Sequence, residues 1–107
     1  MILLNMTFAV DSSLSDTFLS YIRDEFIPAL KKAGYRRPLL TEMRDPAHDG
    51  AGHTFALQFR AQSAEAAEAF EDSIAPLVLR KISGEWQGRS ACFCSVLDVV
   101  YDSERDD

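Results

Sequence analysis

The sequence predicts an α+β domain in which two strand–helix–strand units follow one another, in the order βαββαβ. The first half has an alternating apolar stretch, a long amphipathic stretch and a short alternating stretch, over residues 2–10, 13–33 and 39–44. The same order recurs over residues 53–61, 63–82 and 91–101. Two such units within one chain of 107 residues are typical of the ferredoxin-like fold, an antiparallel four-stranded sheet with two helices on one face.

The first strand alternates cleanly between two faces. Because side chains along a strand point to opposite faces in turn, one face carries the bulky set Ile2, Leu4, Met6, Phe8 and Val10. Three polar residues follow it and are candidate N-caps of the first helix: Asp11, Ser12 and Ser13. The sequence therefore predicts a strand that passes almost directly into a helix.

The first helix is predicted to be broken. Its apolar residues recur at helical spacing and form a core-facing stripe: Leu14, Phe18, Ile22, Leu30 and Ala33. Pro28 falls inside this stripe and lacks a backbone N–H, so the helix should kink or restart near Phe26–Ile27. Gly34 is a natural C-terminal cap, and Pro38 prevents the helix from resuming.

The second half repeats this plan. A turn-rich hairpin loop over residues 46–53 leads into the third strand, and Ser63 is the predicted N-cap of the second helix. Pro76 interrupts that helix much as Pro28 interrupts the first. The last strand gives way to an acidic tail over residues 102–107, which we expect to be frayed and solvated, so that residues 1–101 form a single ferredoxin-like domain.

Composition excludes several classes of protein. The chain has 11 Lys and Arg against 17 Asp and Glu, a net charge of −6, so it lacks the basic stripe expected of a nucleic-acid binder. No run approaches the roughly 20 apolar residues of a membrane span, and the N-terminus lacks a signal peptide's basic leader. Cys92 and Cys94 point to one face of a strand and predict free thiols in a reducing cytoplasm. No metal or cofactor is expected.

The sheet face that the helices leave open is the predicted place of a functional site. Four polar residues of the first and third strands should converge there: Asn5, Thr7, Gln58 and Arg60, with Glu42 and Arg44 as possible neighbours on the second strand. Arg60 would hold a carboxylate in bidentate fashion, and the amides would orient a carbonyl. The alternative is a hydrogen-bonded interface between two copies, with no ligand at all.

Three further groups have two interpretations each. Trp86, the only tryptophan, either closes such a cleft from its Gly-flanked loop or plugs the end of the core. His48, Asp49 and His53 form either a metal or acid–base site or a solvated polar loop. A basic patch indicates either an anionic ligand or cations that stabilise helix C-termini: Lys31, Lys32, Arg36 and Arg37, echoed by Arg80 and Lys81.

Three short motifs resemble a known family: Ile27–Pro28, the stretch Gly52-His-Thr-Phe-Ala-Leu-Gln-Phe59, and Ala75-Pro76-Leu77. In their order and spacing they resemble a small bacterial family of uncharacterised βαββαβ proteins, of unknown function and related to dimeric α/β-barrels. That family often has a histidine where this chain has Phe26, which argues against a mechanism that needs an imidazole there. The resemblance implies a homodimer formed through the sheet faces.

Three functional hypotheses follow, and whether any reaction is catalysed stays open. The leading one is a small-molecule-binding or accessory module with its cleft at a homodimer interface. The resemblance to dimeric barrels also implies a cofactor-independent monooxygenase, in which Asn5, Arg60 and Trp86 position an aromatic or polyketide-like substrate and His53 moves protons. The third is a protein–protein adaptor that uses the open sheet face directly.

Overall fold

Four strands form one antiparallel sheet in the computed structural model, which describes residues 1–44 and 52–104. The strands are β1 (Ile2–Asp11), β2 (Arg36–Glu42), β3 (Gly52–Ala61) and β4 (Ser90–Asp98). Their order across the sheet is β2-β3-β1-β4, and each neighbouring pair is antiparallel. The predicted ferredoxin-like βαββαβ fold is therefore confirmed.

Two helical arms connect the strands, and each contains two α-helices. The first arm is a short 3-10 turn (Ser12–Leu14), α1 (Ser15–Tyr21), a π-helical segment (Ile22–Phe26) and α2 (Ile27–Lys32). The second arm is α3 (Ala64–Ala69), a π-helical segment (Phe70–Ile74) and α4 (Ala75–Ser83). The two arms thus share one internal plan, as the sequence repeat indicates.

Each π-helical segment ends two residues before a proline, Pro28 in the first arm and Pro76 in the second. Because proline has no N–H, it cannot donate the normal bond to the carbonyl four residues earlier. The helical turn at this place therefore contains one extra residue, and its N–H bonds to the carbonyl five residues earlier. In the first arm the Ile27 N–H donates to the Ile22 carbonyl, and in the second the Ala75 N–H donates to the Phe70 carbonyl. The interruption predicted from Pro28 is found at the expected position, as a wide turn of the helix.

A complete Schellman motif ends the first arm. Gly34 has a φ of +98°, in the left-handed region that glycine adopts without a side-chain clash. Its N–H donates to the Lys31 carbonyl at 3.1 Å, and the Tyr35 N–H donates to the Leu30 carbonyl at 3.0 Å. Tyr35 and Leu30 are both buried, and the Tyr35 hydroxyl donates to the Ala66 carbonyl at 2.6 Å. The motif therefore fastens the start of β2 to the second arm.

Two strand boundaries differ from the prediction by three residues each. β2 begins at Arg36, three residues before the predicted start, and has a bulge between Arg36 and Leu39. β4 ends at Asp98, whereas the alternating pattern extends to Tyr101. Asp98 is paired with Ile2, the first residue of β1; the Val99 N–H still donates to the Met1 carbonyl at 3.1 Å, but the described residues 99–104 form no strand.

The core lies between the sheet and the two arms. The bulky face of β1 is buried as predicted, from Leu4 to Val10, and it packs with Phe55, Leu57 and Phe59 of β3. Every predicted stripe residue of the first arm is buried except Ala33. That prediction was wrong because Ala33 follows the end of α2 as its C-cap, where the helical periodicity no longer sets the side-chain direction.

The N-cap of the second arm provides a test of the local sequence interpretation. The Ser63 hydroxyl accepts the Ala66 N–H at 3.1 Å, so Ser63→Ala should lower the free energy of unfolding by about 1 kcal/mol. Urea denaturation followed by circular dichroism measures the change. Ser73→Ala, at an exposed position of the same arm, is the matched control. An equal loss in both variants would show that the cap contributes nothing specific.

Candidate functional site

The sheet register brings the four predicted polar residues onto one face. Asn5 lies opposite Gln58, and Leu3 lies opposite Arg60, two positions along the same side of the pair. Side chains of directly opposed residues share a face. The open face consists of the residues in register on the side away from the arms: Leu3, Asn5, Thr7, Ala9, Arg36, Leu39, Thr41, Thr54, Ala56, Gln58, Arg60, Ala91, Phe93, Ser95 and Leu97.

Polar groups near the centre of the open face keep unused hydrogen-bonding capacity. Asn5, Thr7, Gln58 and Arg60 are each half-buried. The Asn5 Nδ2 donates to the Thr7 Oγ1 at 3.1 Å. Within the described residues, the Gln58 amide and the Arg60 guanidinium make no side-chain hydrogen bond or ion pair. These groups could therefore bind a polar molecule without breaking a contact of the fold.

Large apolar side chains surround these polar groups. Leu39 is 58% exposed, Phe93 is 63% exposed and Leu97 is 43% exposed. Leu39 is paired with Gln58, and Phe93 lies opposite Thr7, so the apolar groups lie in the same rows as the polar ones. The open face combines an apolar surface with a few hydrogen-bonding groups, which is the composition of a small-molecule site.

Trp86 is not brought together with the four polar residues. It is 1% exposed, and its ring lies 5.4 Å from the Tyr21 ring and 6.0 Å from the Phe18 ring. Both partners belong to α1, and the Phe18 ring also stacks on Phe55, at 5.1 Å. The structure therefore places Trp86 in the core between the sheet and the arms, on the opposite side of the sheet from the open face.

Glu42 was wrongly expected on the open face. It lies opposite Phe55, whose side chain is in the core, and its carboxylate Oε2 lies 2.7 Å from the His53 Nδ1. The His53 ring also stacks on the Phe55 ring at 6.0 Å. His53 thus pairs with Glu42 of the neighbouring strand, at the end of the sheet and on the side of the arms. His48 and Asp49 lie outside the described residues.

Of the two cysteines, Cys92 behaves as a small apolar side chain. Both are free thiols on β4, and Cys92 packs against the hydrophobic core. Burial, with a smaller contribution from Cys94, raises the pKa of the Cys92 thiol to about 12. A thiol that stays protonated is a poor nucleophile and a poor metal ligand. These properties agree with the interpretation of Cys92 as filler in a strand, whereas Cys94 is exposed.

Three arginines lie together at one end of the sheet. The sequence pattern predicts them in two separate groups, with Arg36 and Arg37 in the basic patch and Arg60 on the open face. Arg36, Arg37 and Arg60 line a cavity of about 400 Å³ together with Met1, Ala61 and Gln62. Lys31 and Lys32, which belong to the same basic stretch of sequence, lie in the last turn of α2, where cations stabilise the helix end. The structure thus divides the predicted basic patch into a helix-end pair and an arginine cluster.

Neither a metal-binding cluster nor a membrane-spanning helix is found in the described residues. Within residues 1–44 and 52–104, no three His, Cys, Asp or Glu side chains come together in a geometry that could hold a metal ion. In the same part of the chain, no helix has the length and apolar character needed to cross a membrane.

Solved structures with this fold are similar to the chain over almost its whole length. Two dimeric ferredoxin-like proteins from uncultured marine organisms match with TM-scores of 0.66 and 0.65 and identities of 15% and 13%. Each match covers 97% of that protein, and 95% or 94% of this chain. A protein named "Putative antibiotic biosynthesis monooxygenase" from Nitrosomonas europaea matches with a TM-score of 0.65 and 16% identity, over 94% of this chain and all of that one. At these identities the likeness shows the fold alone.

Sequence comparison gives the family. No curated protein matches the chain significantly. The family model described as Domain of unknown function (DUF4286) matches residues 1–100. This match agrees with the family resemblance of the three short motifs. Since the matched region spans all four strands and both arms, the chain belongs to this family of proteins of unknown function.

Proposed function

We propose that this protein is a small-molecule-binding or accessory module whose ligand lies between the open face and the same face of a second copy. The observation that carries the proposal is the composition of the open face. The half-buried Gln58 amide and Arg60 guanidinium, which have no side-chain partner in the described residues, lie among exposed leucine and phenylalanine side chains. Water solvates the polar groups, but the exposed apolar side chains are not well accommodated on a sheet face that is in contact only with water.

A second copy of the chain is the proposed cover. Exposed apolar side chains on one face of a protein can mark an interaction surface, and three large ones lie on the open face. The two marine neighbours with the same fold are named as dimeric, which supports a homodimer. In a two-fold dimer the same patch serves both chains, so the four polar residues of each copy would line a shared cleft.

The composition of the open face favours binding over acid–base chemistry. Its described side chains are aliphatic, aromatic, amide, hydroxyl and guanidinium groups, and none of them exchanges a proton near neutral pH. A general acid or base needs such a group within hydrogen-bond reach of the substrate. The name of the Nitrosomonas europaea neighbour supports a cofactor-independent monooxygenase as the second candidate. That reaction would have to rely on positioning by Asn5 and Arg60.

The proposal also includes the cellular compartment in which the protein is located. The two cysteines are unpaired, and free thiols persist in a reducing environment. We therefore place the module in the cytoplasm. A redox-sensitive fluorescent fusion would report the compartment directly.

The proposal is tested first by the molar mass in solution. Size exclusion with light scattering over a concentration series should give twice the 12.0 kDa of one chain. A monomer at all concentrations would refute the covered open face and favour a protein–protein adaptor that uses this face directly.

A thermal-shift screen of a metabolite panel then tests ligand binding. A compound that raises the melting temperature of the wild type should lose that effect in Asn5→Ala and Gln58→Ala. The matched control is Gln87→Ala, the same change at an exposed loop position away from the open face. Turnover of the bound compound would replace the binding module with the enzyme candidate.

A further inference from the structure

Two elements place the arginine cluster at one end of the open face. Arg36 is the cross-strand partner of Arg60, so both side chains leave the sheet on the same side. Arg37 follows in the bulge of β2, with a φ of +56°. The bulge changes the direction of the Arg37 side chain relative to regular alternation. All three arginines line one cavity of about 400 Å³.

This arrangement is unfavourable for the fold alone. Like charges directly opposite each other on neighbouring strands are destabilising, and Arg36 and Arg60 are such a pair. A left-handed backbone at a residue other than glycine is also strained, and such strain is concentrated at functional sites. No carboxylate within residues 1–44 or 52–104 forms an ion pair with any of the three arginines. A bound anion would therefore relieve the repulsion among these three side chains.

We propose that the arginine cluster binds the phosphate group of a small phosphorylated organic molecule. Guanidinium groups offer planar, paired donors that match phosphate oxygens. Three positive charges suit a phosphate ester, which carries close to two negative charges, better than a single carboxylate. The proposal deepens the proposed function and rests on it, because Arg60 belongs both to the open face and to this cavity.

The other residues that line the cavity and the net charge of the chain restrict the chemical class of the ligand. Met1 and Ala61 give the cavity an apolar wall, against which the organic part of the ligand packs. A net charge of −6 repels a long polyanion, so a nucleic-acid backbone is disfavoured. Gln58 and Asn5 extend from Arg60 along the open face. The phosphate would lie at the end of the sheet and the organic part toward its centre.

The test compares three probes on the intact chain: inorganic phosphate, phenyl phosphate and benzoate. Isothermal titration at constant ionic strength gives their affinities. Wild-type protein should bind phenyl phosphate more tightly than inorganic phosphate or benzoate. The double variant Arg36→Gln/Arg37→Gln should bind phenyl phosphate at least about tenfold more weakly, the loss expected when a charge-assisted hydrogen bond is removed.

Lys31→Gln/Lys32→Gln is the matched control, because it removes the same charge from the helix-end half of the basic patch. This control should keep wild-type affinity. Equal weakening in both double variants would show a general charge effect and overturn the site. Benzoate binding as tight as phenyl phosphate binding would overturn the phosphate assignment, and so would undiminished affinity in the arginine variant.

Folding of the arginine variant is checked by its melting temperature without ligand. Removing like charges from facing strands should leave this temperature at or above the wild-type value. The single variant Arg36→Gln, which keeps the bulge residue, gives a second measurement if the double variant does not fold. If the wild type binds phosphate as a monomer, the phosphate site is supported and the proposed dimer through the open face is refuted. If the wild type is a dimer that binds neither inorganic phosphate nor phenyl phosphate, the dimer is supported and the phosphate site is refuted.

Discussion

Trp86→Ala is expected to lower the free energy of unfolding by about 3–5 kcal/mol, one of the largest losses for a single substitution in this chain. The indole is 1% exposed and packs edge-on against Tyr21. Truncation would leave a cavity among rigid aromatic rings that cannot collapse to fill it. Urea denaturation followed by far-ultraviolet circular dichroism measures the change, since the variant has no tryptophan to report by fluorescence.

This experiment also separates the two interpretations of Trp86. As part of the core, its removal costs stability. As a cover for the cleft, its removal would weaken ligand binding and leave stability almost unchanged. Trp86→Phe, which keeps an aromatic ring, should lose markedly less stability than Trp86→Ala. A loss below about 1 kcal/mol in Trp86→Ala would contradict the packing described for the end of the core.

Phe93→Glu is expected to dissociate the proposed dimer. Phe93 is 63% exposed and lies opposite Thr7 on the open face, on the outer strand β4. A two-fold interface repeats every substitution, so the variant would bury two uncompensated carboxylates. A cost of roughly 3 kcal/mol or more raises the dissociation constant of the dimer by about a hundredfold. Light scattering over a dilution series measures this constant.

Leu79→Glu is the matched control for this change. Leu79 is similarly apolar and 46% exposed, but it belongs to α4, on the other side of the sheet. The control should remain a dimer. If Leu79→Glu dissociates the protein and Phe93→Glu does not, the two copies meet through their helical arms and the open face is left uncovered.

Local patterns predicted most of the fold because burial follows the period of each element. β1 and β3 each have one buried face, so alternation alone identifies them. Pro28 and Pro76 located the interruptions of the arms, since a missing N–H is a property of the residue itself. The choice of a π-helical turn over a kink depends on how each arm packs, and no local pattern contains that information.

The parts of the candidate site that follow from the alternation of side chains along one strand were predictable from the sequence. The parts that depend on how two strands pair were not. Asn5, Thr7, Gln58 and Arg60 share a face because alternation on β1 and β3 puts them there. Glu42 was assigned to the wrong face because a strand shifted by one residue exchanges all its side chains between faces. The arginine cluster depends on the pairing of β2 with β3 and on a left-handed Arg37, neither of which leaves a signal in the sequence.

The two outer strands of the sheet differ in a way that limits how copies can add to one another. On β2, Pro38 removes a backbone donor and the neighbouring bulge twists the ladder, both of which discourage strand addition. On β4, Ser90–Asp98 contains no proline, so its outer edge is an uninterrupted row of donors and acceptors. Growth into a filament needs two compatible edges on each chain. With only one, edge-to-edge association stops at a closed pair.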